Sequence, residues 1–276
     1  MSNTILITGS SSGIGKETAK LFHSKGWNVV ATMRAPDKEQ ELTELDNVFV
    51  TRLDVTDDDS IKSAIDEGIK TFGKIGVLLN NAGYGAYGPL EAFDKSRIQR
   101  QYDTNVIGLM ETTKSILPHF RANKSGIIVN ISSIAGKMTF PLGALYHGTK
   151  FAVEGLSESL HFELEPIGIK VKIIEPGLIA TDFAKRSLDF ANDESLQEYQ
   201  PVVLKLIKAF SGQAYQAQAS PASAVADVIW KAVTDGTNTL RYTVGEDAKK
   251  YMAYRKSLSD EDFIGGIKEQ FNLQSI

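Results

Sequence analysis

Thr8-Gly9-Ser10-Ser11-Ser12-Gly13-Ile14-Gly15 is the stretch that decides the fold. It follows Thr4–Thr8, an apolar run that reads as a buried strand. It precedes Gly13–Lys25, where Ile14, Thr18, Leu21 and Phe22 recur near one face of a helix that Gly26 stops. Three glycines between a strand and a helix let the backbone turn tightly and approach a bound group closely. The helix start adds unpaired N–H donors and a partial positive charge, which together suit a pyrophosphate. The spacing is Gly-x3-Gly-x-Gly, not the Gly-x-Gly-x2-Gly of the common dinucleotide fingerprint. It is not a nucleotidase phosphate loop either. Lys16 follows Gly15, but no glycine stands five before Gly15, and Glu17 fills the place of the Ser or Thr that would hold magnesium.

Outward from this turn, short apolar runs alternate with amphipathic stretches. Strands are expected at Asn28–Thr32, Val48–Leu53, Val77–Asn80, Gly126–Ile131, Val171–Glu175 and Thr239–Val244. Helices are expected at Asp57–Phe72, over most of Leu90–Phe120, at Tyr146–Leu164 and at Pro221–Thr234, the last opened by its proline. This rhythm implies an α/β fold, a single-domain Rossmann-like doubly wound parallel sheet of about seven strands with helices on both faces. Ligands of such sheets sit at the carboxyl ends of the strands, where the motifs of this chain fall. Phe183–Ser220 breaks the rhythm with scattered aromatics and the Ala/Gln-rich piece Gly212–Ser220. It reads as a substrate lid inserted at about 183–220 into one domain spanning 1–276. The tail from Gly245 is charged, and one helix is expected in it.

The 276 residues suffice to bury a core without disulfides or metals. Cysteine is absent, which excludes a disulfide framework, a Cys-ligated metal and a cysteine nucleophile. The four histidines have no paired ligand spacing, so no metal site is expected. Thirty Lys and Arg against 34 Asp and Glu leave a net charge of −4, without the basic footprint of a nucleic-acid binder. No apolar run approaches the ~20 residues that span a bilayer. Ile5-Leu6-Ile7 is too short for a signal-peptide core, so the cytoplasm is the expected location.

Tyr146 and Lys150 are four residues apart in an expected helix and share its face. Ser133 lies 13 residues before Tyr146, just past the strand Gly126–Ile131, and Asn105 lies inside the earlier helical stretch, where Asn is a mediocre helix former. A phenol has a pKa near 10 and is a poor base at neutral pH. A nearby ammonium favours the phenolate, and the tyrosine can then exchange a proton with a carbonyl or alcohol oxygen. A serine hydroxyl can hydrogen-bond the same oxygen as charge develops. No side chain supplies a hydride, so a redox cofactor must.

This combination resembles the short-chain dehydrogenase/reductases in their compact branch, from Thr4 to about Thr181 and more weakly beyond. The resemblance implies a catalytic tetrad of Asn105, Ser133, Tyr146 and Lys150. Tyr146 would be the acid/base. Lys150 would lower its pKa and hold the nicotinamide ribose, and Ser133 would orient the substrate carbonyl. Asn105 would kink its helix and position a water that links Lys150 to solvent. Gly9, Ser11, Ser12, Gly13, Ile14 and Gly15 would hold the cofactor pyrophosphate and its surroundings. Asp54 and Val55 would contact adenine. Asn81, Ala82 and Gly83 would line the cofactor, and Pro176, Gly177 and Thr181 would hold the nicotinamide carboxamide.

Family members that use NAD usually carry an Asp where Met33 stands here, and Arg34 comes next. A planar guanidinium suits a 2′-phosphate, so NADP(H) is expected and NAD is less favoured. The substrate side is expected from Tyr84–Leu90, Phe140–Leu145 and the insertion. Tyr84, Tyr87, Phe140, Leu142 and Leu178 point to a small apolar ketone or secondary alcohol. The run Asn80–Ala92, Tyr146-His147-Gly148-Thr149-Lys150 and Phe151–Leu156 are similar to members acting on steroids and retinoids. The resemblance also implies a homodimer or homotetramer. Alternatives are an NADP(H)-binding regulator of minor activity, an NAD-preferring dehydrogenase of the same family, and a nucleotide-sugar epimerase or dehydratase. The last is disfavoured by chain length and glycine spacing.

Overall fold

The computed structural model describes residues 3–180, 187–212 and 217–274. Its centre is a seven-stranded parallel sheet of β1 (Thr4–Thr8), β2 (Asn28–Met33), β3 (Val48–Arg52), β4 (Val77–Asn80), β5 (Gly126–Ile131), β6 (Ile169–Pro176) and β7 (Arg241–Val244). The strand order is β7-β6-β5-β4-β1-β2-β3. The chain builds outward from β1 on one side and then crosses to β4 on the other. The carboxyl ends of β1 and β4 therefore flank the crevice where such sheets bind ligands.

The period-two pattern of the strands sends alternate residues to opposite faces. Ile5, Ile7, Val29, Ala31, Val77, Leu79, Val129 and Ile131 pack under α1 (Gly13–Ser24) and the helix Ala222–Thr234, with Phe22, Val225 and Ile229 in the same cluster. Leu6, Val30, Leu78, Ile128 and Val171 face the other layer. They meet Ile61 and Ile65 of α2 (Asp58–Phe72), Ile116 and Phe120 of the helix Gly108–Ala122, and Leu164. Each fully buried aliphatic or aromatic side chain of these clusters contributes about 1.5–3 kcal/mol of transfer free energy.

The mostly helical stretch expected over Leu90–Phe120 comprises a short turn at Leu90–Ala92, α3 (Lys95–Tyr102), a π-helical turn at Asp103–Ile107 around Asn105, and α4 (Gly108–Ala122). Asp94 caps α3 by accepting from the Arg97 N–H at 2.9 Å. The helix expected from Asp57 begins one residue later because Asp57 is its cap, accepting from the Ser60 N–H at 3.2 Å. The helix expected from Tyr146 starts two residues earlier, as α5 (Ala144–Leu164).

Within the insertion, Leu188–Phe190 pairs with Gly85–Tyr87, α6 spans Gln200–Ser211, and Ser220–Pro221 pairs with Ile179–Ala180. Phe183 and Tyr215 of its aromatic set lie outside the described residues. After α7 (Ala222–Thr234), the tail holds two helices rather than one, α8 (Glu246–Ser257) and α9 (Asp260–Gln270). Ser259 divides them, capping α9 by accepting from the Asp262 N–H at 3.1 Å. Phe263, Ile267 and Phe271 bury themselves against Ile134, Met138 and Leu206, so the tail covers the end of the sheet that carries Ser133. Among the described residues no helix is long and apolar enough to cross a membrane.

Candidate active site

The glycine turn wraps the carboxyl end of β1. Gly9 and Gly13 take positive φ angles of 73° and 56°, which an L side chain adopts only under strain. Gly15 is excluded from carrying a side chain by space, since an added Cβ would stand 2.6 Å from Asn81 Nδ2 and still closer to the Gly9 carbonyl. Ser12 makes no side-chain cap and no acid stands in the first turn of α1, so neither competes for the N–H donors of that turn. These features fit a phosphate, which needs close backbone, free N–H donors and no repelling charge.

Asn81, expected to line a cofactor, spends its side chain on the turn, donating to the carbonyls of Thr8 at 2.9 Å and Gly9 at 3.0 Å. Thr8 Oγ1 accepts from the N–H groups of Asn81 and Ala82, at 2.9 and 3.0 Å. The two β-strand ends are thereby locked together, with Ala82 and Gly83 at their rim. Ser10 is buried and ties the turn to β2 through a 2.9 Å bond from its N–H to the Thr32 carbonyl. Ser11 is exposed and Ser12 half-buried.

Arg34 follows β2, is exposed, and has no ion-pair partner among the described residues. Met33 is buried in the core, so no carboxylate stands at the end of β2. Asp54 Oδ1 accepts from the N–H and hydroxyl of Thr56, at 3.0 and 2.8 Å, which fixes the corner after β3. The neighbouring Val55 carbonyl lies against Gly108, where a Cβ would come within 2.6 Å. That glycine, unremarked in the sequence, lets α4 reach the corner.

The structure brings Ser133, Tyr146 and Lys150 to the carboxyl ends of β5 and β6. Ser133 Oγ accepts from the Ala135 N–H at 3.1 Å, lies 3.3 Å from the Pro176 carbonyl, and hydrogen-bonds the Tyr146 phenol. Lys150 is buried and donates to the Ile131 carbonyl at 2.8 Å, with Nζ 5.7 Å from the Tyr146 ring centroid. Burial pushes the Tyr146 phenol up to about 12, against the Ser133 hydrogen bond that favours the phenolate. Burial also pushes Lys150 down to about 8, against the nearby Glu154 carboxylate. Desolvation is thus the leading influence on both groups, raising the phenol and lowering the ammonium.

Asn105 sits in the π turn, 3% exposed. Its Oδ1 accepts from the Tyr84 N–H at 3.0 Å, and its Nδ2 donates to the Tyr84 carbonyl at 2.8 Å and to Thr149 Oγ1 at 3.2 Å. Thr149 in turn donates to the Tyr146 carbonyl at 2.8 Å. The side chain therefore pins the loop after β4 to the helix that carries Tyr146. The widened π turn gives that side chain its place, as such turns do at functional sites.

Pro176 ends β6, and Gly177 donates its N–H to the Val244 carbonyl at 2.9 Å. Thr181 lies outside the described residues. On the substrate side, the Tyr87 ring lies 5.5 Å from the Tyr146 ring and Phe140 lies 5.8 Å from His147. A cleft of about 490 Å³ is lined by Thr139, Phe140, Leu142, Ala144, His147, Gly148 and Phe151, next to Tyr146 but not including it.

Several residues of this region carried no mark in the sequence. His147 is buried between the Ala135 carbonyl, 2.9 Å from Nδ1, and the Phe140 N–H, which donates to Nε2 at 3.0 Å. Burial lowers its pKa, and as a neutral ring it shapes the loop beside the cleft. Asp189 of the insertion holds both Arg97, at 2.5 Å, and Arg100, at 2.6 Å. Arg100 in turn lies over the Tyr84 ring at 5.2 Å. Glu154 and Glu175 are buried and meet Arg241 Nε at 2.9 and 3.5 Å, which clamps α5 to the edge strand one turn beyond Lys150. Burial, with Glu154 beside it, raises the Glu175 carboxyl. Only Glu154 had an available cue, its i+4 position after Lys150. The others depend on contacts distant in sequence.

Residues 3–191 match the family described as short chain dehydrogenase. An uncharacterized oxidoreductase of Schizosaccharomyces pombe is 43% identical over 246 residues, covering 87% of this chain and all of that protein. A short-chain dehydrogenase from Streptomyces avermitilis superimposes with a TM-score of 0.82 at 29% identity, covering the whole of this chain and 98% of the other. The protein ElxO, solved with NADP bound, superimposes with a TM-score of 0.73 at 29% identity, covering 88% of this chain and 97% of its own. The chain belongs to the short-chain dehydrogenase family and is an oxidoreductase of it.

Proposed function

We propose that this member of the family catalyses reversible hydride transfer between NADP(H) and an apolar ketone or secondary alcohol, with Tyr146 as the acid/base. The observation that carries this reading is the convergence of Ser133, Tyr146 and Lys150 beside Pro176-Gly177, at the same sheet edge as the uncapped start of α1.

When bound, the nicotinamide would supply or accept the hydride. Tyr146 gives a proton to the carbonyl oxygen in reduction and takes it back in oxidation. Ser133, already on the phenol, hydrogen-bonds that oxygen as charge develops. Lys150 keeps a positive charge next to the phenol, which opposes the burial that now holds the phenol neutral. Asn105 and Thr149 hold the loop and helix in register.

Arg34, exposed, without an ion-pair partner among the described residues and next to the buried Met33, supports NADP(H) over NAD(H). Asp54 and Val55 frame the adenine end, and Ser11 and Ser12 offer hydroxyls near the phosphates. Tyr84, Tyr87, Phe140 and Leu142 support an apolar substrate. The segment 183–220 is read as its lid, with Tyr199 reaching Glu91 at 3.1 Å across the entrance. A cytoplasmic homodimer or homotetramer completes the reading, supported by the exposed Phe151 and Phe162 on α5.

The test is fluorescence titration with NADPH, followed by turnover on a panel of apolar ketones. Tyr146→Phe is expected to cut turnover by about 10²–10⁴-fold and to leave NADPH affinity intact. A Tyr146→Phe protein with normal turnover would overturn the mechanism, and tighter NADH than NADPH binding would overturn the cofactor choice.

A further inference from the structure

The C-terminal tail brings one buried carboxylate to the site that the chemistry above does not use. Gly245 takes a φ of 106° and turns the chain out of β7 into α8, so that Asp247 in the first turn faces back to the end of β6. Asp247 is 8% exposed, and its Oδ2 accepts from the Leu178 N–H at 2.7 Å. A Cβ on Gly177 would come within 2.6 Å of the Asp247 Cγ and closer still to Oδ2, so the glycine is what lets the carboxylate reach the backbone. The Gly177 N–H is held by the Val244 carbonyl at 2.9 Å. Two successive N–H groups of the Pro176-Gly177-Leu178 segment are therefore fastened to the strand and helix that begin the tail. The second Asp247 oxygen, Oδ1, is buried with no hydrogen-bond partner among the described residues. A buried carboxylate half satisfied in this way costs stability. An aspartate here is thus a poor choice for packing alone and a good one for gripping a backbone amide strongly.

We propose that Asp247 is a positioning residue for the nicotinamide half of the cofactor site, fixing Pro176-Gly177-Leu178 at the height where this segment meets the ring. Asp247 touches no reacting atom and acts through the backbone of Gly177 and Leu178. The C-terminal helices become part of the site rather than a cover over it. The inference rests on the NADP(H) reading above.

The test compares two ligands by titration calorimetry on the full chain: NADPH, and 2′-phospho-ADP-ribose, which lacks the nicotinamide. Asp247→Ala is expected to weaken NADPH about tenfold while changing 2′-phospho-ADP-ribose by less than about twofold. Asp247→Asn, which keeps an oxygen for the Leu178 N–H, is expected to restore most of the NADPH affinity. Equal weakening of both ligands, or of neither, would overturn the proposal by showing a role in overall stability only. Gly177→Ala gives an independent arm that does not depend on the Asp247→Ala protein folding. Its methyl group would displace the carboxylate, so it should show the same selective loss. In the double variant the losses should be less than additive, and full additivity overturns the coupling. Wild-type binding of NADPH with no selective loss in Asp247→Ala refutes this inference alone, whereas a wild-type chain that does not bind NADPH refutes the cofactor reading and this inference with it.

Discussion

Lys150 is anchored to Ile131, its ammonium donating to the last carbonyl of β5 at 2.8 Å. The bond fixes the charge at the strand end and leaves it dehydrated. That produces a pH signature. In the folded chain Lys150 is pushed from 10.5 down to about 8, so between pH 8 and about 10 the unfolded chain binds the extra proton. Stability from this group therefore rises with pH across that window. Tyr146, pushed from 10.0 up to about 12, has the opposite effect above pH 10, because there the folded chain holds the proton longer. Lys150→Met should be more stable than wild type at pH 7, by on the order of 2–3 kcal/mol, and the gap should close by pH 10. Urea unfolding at pH 7, 8, 9 and 10 measures it. A gap that stays constant with pH would show that burial of the ammonium is not its cause.

Arg34→Ala should raise the NADPH dissociation constant about 10–100-fold, the loss of one or two charge-assisted bonds, and leave NADH unchanged. The wild-type NADPH affinity should also fall with added salt more steeply than the variant's. Equal losses for the two cofactors would place Arg34 away from the 2′-phosphate.

Gly15→Ala introduces a methyl group against the Gly9 carbonyl and 2.6 Å from Asn81 Nδ2. The turn must open, at a cost of about 1–3 kcal/mol in stability. NADPH binding should fall along with it, because the N–H donors of α1 move. Thermal denaturation with and without NADPH reads both effects, and a variant with unchanged melting and binding would contradict the packing described.

Asp189→Ala leaves Arg97 and Arg100 without their shared carboxylate, which now ties the insertion to α3 at 2.5 and 2.6 Å. Local opening of 187–212 should become about tenfold or more easier, a loss of roughly 2 kcal/mol at a partly buried pair. Limited proteolysis should cut within 187–212 sooner, and KM for apolar ketones should rise with little change in NADPH affinity. Unchanged cleavage would mean that the pairing of Leu188–Phe190 with Gly85–Tyr87 suffices to hold the insertion.

The glycine turn, the strand-helix rhythm and the spacing from Ser133 to Lys150 were legible because each is a local property. Period-two and period-3.6 patterns report which face is buried, and residues four apart on a helix must share a side. The internal division of the mostly helical stretch Leu90–Phe120 shows the limit of that reasoning. A π turn at Asp103–Ile107 needs only one extra residue in the helix, and its apolar pattern barely changes. The burial that raises the Tyr146 phenol is a second such limit. Proximity of two groups can be read from spacing, but their desolvation depends on what closes over them.

The amino-acid sequence alone determined the parallel sheet and the turn around β1, and it singled out Tyr146 and Lys150 as candidates for proton chemistry. Tertiary structure decided how those parts are held. Asp247 reaches Leu178 across 69 residues, and Arg97 reaches Asp189 across 92. No local pattern encodes such a pairing, because it depends on the accumulated directions of every element between. The same holds for the tail. Phe263 and Phe271 could have served an interface or the core by composition, and only the packing of α8 and α9 over Ile134, Met138 and Leu206 settles where their apolar surface is buried.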